Sequence, residues 1–155
     1  MDFGGFSLQK AYKYSLLYFL LFSFLLLTSS ILLFEQKIGF SVEAVLTYYN
    51  GNEAQFIPSK SSAGILKIIL PHIFGFGIFF MVLLHFLLFT KLRSSKKLKF
   101  LIFTTFIVAS LELFSPFLMI AGVTFFASVK LFSFVLLELL MLYLFWLLVK
   151  AIVYE

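Results

Sequence analysis

Residues 65–90 read ILKIILPHIFGFGIFFMVLLHFLLFT. This run carries one lysine near its start, a proline and two histidines, and is otherwise apolar. A helix needs about 20 such residues to cross a bilayer. Working outward, three further stretches have the same character: 14–34 before it, 100–122 and 131–149 after it. The expected fold is therefore all-α, an integral membrane four-helix bundle. Composition agrees, because 63% of the residues are hydrophobic and only 12% are charged, against about 25% charged in a typical soluble domain. With the four spans set aside, the longest connection runs from Glu35 to Gly64. That is too short for a separate folded domain, so residues 1–155 are read as a single membrane domain.

The first span is as long as a full crossing, and no small-residue cleavage pattern closes it before Glu35, so it is expected to be a retained helix. Cysteine is absent. Disulfide exchange, thiolate metal sites and c-type haem attachment are thereby excluded. The 24 phenylalanines suit lipid-facing and helix-packing positions and carry no functional weight.

Charge sets the expected orientation. With the amino terminus inside, Lys10, Lys13, Lys91, Arg93, Lys96, Lys97, Lys99 and Lys150 fall on the inner side, and Lys37, Lys60, Lys67 and Lys130 on the outer. The excess places both termini in the cytoplasm, in a plasma or inner membrane. The segment KLRSSKKLK at 91–99 dominates this bias and reads as a topology determinant touching anionic lipid, so the net charge of +5 implies no nucleic-acid partner. In the first outer loop, SVEAVLTYYNG at 41–51 offers Ser41 as a cap, Gly51 as a stop, and Val42, Val45, Leu46 and Tyr49 on one side. A short interfacial helix is expected there, serving as a connector or as a lid on the bundle. Trp146 and Tyr154 bracket Lys150 and would anchor the last span at its boundary.

Ionisable groups inside hydrocarbon cost about 2.5–3.5 kcal/mol each on the insertion scale. Four stand out: His72 and His85 on the second span, Glu112 on the third and Glu138 on the fourth. At about 1.5 Å per residue, Glu112 and Glu138 fall at nearly one depth, roughly 2–3 Å from the midplane, and His72 lies about 10 Å to the outer side. If all three face inward, they form a cluster able to hold a transition metal such as iron, zinc or manganese. Thr105, Ala109, Ser115, Pro116 and Met119 share the face of Glu112. Lys130, Phe134, Met141 and Phe145 share that of Glu138. Pro116 has no N–H to give the carbonyl of Glu112, so a kink and an unclaimed acceptor are expected beside the carboxyl. Two such carboxyls in low dielectric should not both ionise unless a cation stands nearby.

The histidines, about 20 Å apart on one span with Gly75 and Gly77 between them, resemble the paired ligands of transmembrane b-type cytochromes. That resemblance implies haem b bound within a four-helix bundle. It covers one helix, and no other span carries His. Thirteen residues also turn His72 and His85 about 140° apart. Met119, Met141, a second copy or another subunit would have to complete the ligands. The expected function is a small membrane redox or metal-binding component, working as a homo-oligomer or as a subunit of a membrane complex. The alternatives are a non-catalytic scaffold or assembly subunit, or a proton or ion conduit. No independent catalytic signature is present: the chain has a single arginine, and serine within spans commonly packs helices.

Overall fold

The computed structural model describes residues 8–88, 90 and 94–154. The helices are α1 (Leu8–Lys37), α2 (Val42–Asn50), α3 (Ser62–Leu88), α4 (Lys96–Ile120) and α5 (Phe126–Tyr154), with one 3-10 turn at Glu53–Gln55. Among the described residues there is no strand, only a lone antiparallel bridge between Asn52 and Ile57. α1, α3, α4 and α5 are each long and apolar enough to span a bilayer. Lys91 and Arg93 lie outside the described residues, as do the side chains of Lys10 and Tyr154.

Local chemistry sets the helix ends. The hydroxyl oxygens of Ser41, Ser61 and Ser95 accept from the amides of Ala44, Gly64 and Leu98, satisfying first-turn donors that have no partner inside the helix. α4 stops where Gly122 takes φ +98, while the amides of Gly122 and Val123 donate back to Met119 and Leu118 at 3.0 Å each. A side chain at that φ would be strained. The turn to α5 is correspondingly short, and α4 and α5 form the most extensive helix pair in the molecule. Small side chains line the two helices where they bury, with Ala109 and Ser115 on α4 and Ala127 and Ser133 on α5, allowing backbones to approach as helices in lipid require.

Two apolar clusters run through the bundle. One, toward the chain termini, gathers Leu16 of α1, Phe80, Leu83 and Leu87 of α3, Val108 of α4 and Leu144 and Leu148 of α5. Phe19 adds ring contacts to Phe79, Phe86 and Phe145. The other, at the α2 end, gathers Phe34, Val45, Tyr49, Ile65, Ile69, Met119, Ala127 and Phe134. Here the rings of Phe34 and Phe134 stack at 3.9 Å. α2 does not lie apart from the bundle: it packs on α4 and α5, and Val45 and Tyr49 are fully buried. Among the described residues, the buried side chains of α1 form a narrow seam of Leu16, Ser23, Leu27 and Phe34, spaced at seven and four residues. Its other faces leave Leu and Phe side chains exposed, as suits a surface solvated by lipid tails. At the opposite end, Lys150 Nζ lies 5.2 Å from the ring centroid of Trp146.

One boundary differs from expectation with consequences for the site. The last helix begins at Phe126, not near 131, because the Phe125 carbonyl already accepts from the amides of Ser128 and Val129. Lys130, counted above as an outer flank charge, is therefore a buried residue of α5.

Candidate functional site

The polar centre of the molecule lies between α4 and α5. Glu112, Thr105, Ala109, Ser115, Pro116 and Met119 form one buried face of α4, the stripe expected from their spacing. Lys130 is buried opposite and its ammonium pairs with Glu112 Oε1. It also donates to the Glu112 backbone carbonyl at 2.9 Å, and the Ser115 hydroxyl approaches the same oxygen at 3.3 Å. Pro116, four residues on, cannot donate to that carbonyl. The lysine thus occupies the acceptor that the proline leaves open, and it is the cation that a buried carboxylate needs. Sequence reasoning recognised both requirements but assigned Lys130 to the flank. The signal available was its place on the Glu138 face of α5.

Glu138 makes a separate contact. Ser30 of α1 donates to its Oε1 at 2.7 Å, tying α1 to α5. The other carboxyl oxygens, Oε2 of Glu112 and Oε2 of Glu138, are buried without a hydrogen-bond partner among the described residues. Ser30 was not among the expected site residues, since a lone serine in an apolar run gives no pattern to read.

α2 closes this centre from the side of the α1–α3 connection. Tyr49 is buried beneath it, and its phenol is pushed well above the ordinary tyrosine range, chiefly by burial, next by the negative charge of Glu112 and least by Tyr48. The sign follows from linkage. The unfolded chain loses the phenolic proton near pH 10 while the folded one holds it, so this contribution is complete below pH 10 and is lost as pH rises beyond it. Tyr49→Phe is expected to remove that part of the alkaline stability loss. Comparing unfolding midpoints of the two proteins at pH 8 and about pH 11 checks it; parallel losses in both would refute the assignment.

The histidines are placed elsewhere. His72 and His85 are both on exposed positions of α3. Among the described residues no three His, Cys, Asp or Glu side chains gather around a common metal position, so the expected convergence of His72 with Glu112 and Glu138 does not occur. The reason is the company Glu112 keeps: Lys130 fills the space on its carboxyl, and α3 turns Ile65, Ile69, Phe80 and Leu83 inward instead. Met119 and Met141 are buried in the two apolar clusters, whereas the histidines are exposed. His72 stands two turns from Ile65 and three from Leu83 on one helical face; both of those are fully buried, yet His72 is exposed. Among the described residues, none covers α3 at His72. Its Nδ1–H donates to the Ile68 carbonyl at 2.6 Å, which leaves Nε2 as the imidazole's acceptor. A side chain added at Gly75 or Gly77 would meet nothing within 4 Å.

Four apolar spans, a buried lysine–glutamate pair and a short helix seated in one mouth of the bundle define a small multi-pass helical membrane protein. Residues 39–155 match the Aq_1264_TM family, described as a transmembrane helical domain, and the chain belongs to that family. The matched segment takes in α2 to α5, and α1 precedes it. No curated protein and no solved structure matches the chain.

Proposed function

We propose that this protein is a non-catalytic membrane scaffold or assembly subunit, whose buried polar residues fix one arrangement of its helices so that its outer faces can meet a neighbouring chain. In this reading both termini lie on the cytoplasmic side, which the lysine distribution supports. The observation that carries the reading is the closure of Lys130 on Glu112 through both side chain and backbone, which commits both groups to holding α4 to α5. Buried polar groups retained for packing specificity behave in this way.

The test uses the purified chain in liposomes and in detergent. Wild-type protein is expected to pass no protons above empty liposomes, and Glu112→Gln is expected to weaken assembly, seen as loss of crosslinked oligomer or partner. Proton flux in the wild type that vanishes in Glu112→Gln with helix content unchanged would replace this reading with a proton conduit through Glu112 and Glu138.

A second reading keeps the histidines. His72, with Nδ1–H held by a backbone carbonyl, has the second-contact geometry common in metal-ligating imidazoles, and the glycines beside it leave room for a flat group. In this reading haem b or a transition metal would sit between His72, or His85, and a ligand from a second chain. A Soret band in the purified oligomer that disappears in His72→Ala or His85→Ala supports it, whereas bound metal without a Soret band supports the metal form. Oligomer carrying neither removes both.

A further inference from the structure

At the α2 end, the connection between the first two spans folds into an open cavity of about 570 Å³, within the roughly 300–1,000 Å³ range of ligand sites. Its walls come entirely from residues 37–60, between the last residue of the α1 span and the first of α3. A cavity so placed lies at the level where lipid headgroups meet water. We propose that it binds the phosphodiester headgroup of an anionic phospholipid, with Lys37 and Lys60 as the phosphate contacts.

The lysines are set there by the backbone. Gly51, at φ +78, ends α2 and lets the chain return against it. A side chain at this position would come within 2.5 Å of the Ile57 carbonyl oxygen and 2.6 Å of the Ser59 nitrogen. Asn52 and Ile57 clamp the return with reciprocal amide–carbonyl bonds of 2.8 and 3.0 Å. Lys60 is then held by its amide, which donates to the Tyr49 carbonyl at 2.9 Å. Its ammonium stands 4.0 Å from the centroid of the Tyr48 ring. The half-buried Lys60 is thus a positioned cation, not a free surface chain. Lys37, from the end of α1, lines the same cavity. Against these two, Glu43 is the one acidic side chain in the wall among the described residues, leaving one net positive charge to face the single negative charge of a phosphodiester. Thr47 and Gln55 supply hydroxyl and amide donors for the rest of a glycerol-type headgroup.

The experiment is thermal unfolding of the full chain in an uncharged detergent, with phosphatidylglycerol, phosphatidylcholine or inorganic phosphate added. Phosphatidylglycerol is expected to raise the midpoint by about 3 °C, and Lys37→Gln with Lys60→Gln to abolish the shift. Lys96→Gln with Lys97→Gln, in the first turn of α4, is expected to keep it. Lys37→Gln alone leaves the Lys60–Tyr48 contact intact and is expected to raise the half-saturating lipid concentration about fivefold, which keeps the test open if the double variant fails to fold. The proposal is overturned by an equal shift with phosphatidylcholine, by no shift, or by a shift that survives loss of both lysines. An equal effect of inorganic phosphate would give the site to a free anion and overturn the lipid assignment.

Discussion

Lys130→Met is expected to destabilise the folded bundle by about 3–5 kcal/mol, the cost of leaving a buried carboxylate without its counter-ion. Two bonds disappear in that variant, one to the Glu112 carboxyl and one to its backbone carbonyl. The carbonyl cannot turn to a helical N–H, because residue 116 is proline. In lipid there is no water to take the place of either. Adding Glu112→Leu to Lys130→Met should recover most of the loss, since an apolar pair of similar volume commonly replaces a buried ion pair at little cost. Unfolding titrations in mixed micelles measure both variants. A single-variant loss under about 1 kcal/mol would mean that the pair behaves like a solvent-screened surface bridge.

Val45→Asp should have the next largest effect and act on a different part of the molecule. Val45 is fully buried, among Phe34, Ile65, Ile69, Met119 and Phe134. An unpartnered polar group in such a setting costs about 2–7 kcal/mol, depending on how far it can find hydrogen bonds. Relief is available by letting α2 leave its seat, since α2 is short and joined by loops at both ends. The expected result is retained helicity of the four spans together with rapid hydrogen exchange across 42–50. Protease cleavage should also appear near 51–61. Slow exchange over α2 in the variant would show that the helix is held by more than its apolar face.

The spans were readable because lipid imposes a simple length and polarity rule. A helix long enough to cross a bilayer underlies most of each of the four apolar stretches. The inward face of α4 was readable too: Thr105, Ala109, Glu112, Ser115, Pro116 and Met119 recur at three and four residues, and small or polar side chains in a membrane helix have reason to face its neighbours. Lys130 was misplaced because a lysine close to the end of an apolar run satisfies the flank pattern equally well. Only the start of α5 at Phe126 decides that it lies inside. His72 shows the opposite failure. Its heptad relation to Ile65 suggests an inward position, but helical phase says nothing about whether a neighbouring helix reaches that height. The cavity around Lys37 and Lys60 was not legible either, because it depends on the return of the chain at Gly51, a tertiary arrangement with no periodic trace.

The bond from α5 to the Pro116 turn of α4 bears on how the chain enters its membrane. Lys130 on an isolated α5 would have to cross into hydrocarbon bare, against a penalty of about 2.5–3.5 kcal/mol, and Glu112 on an isolated α4 would meet a comparable one. Only residues 121–125 separate the two helices, so neither needs to enter alone. Entering together as one hairpin, with Lys130 already on Glu112, costs less than entering one after the other.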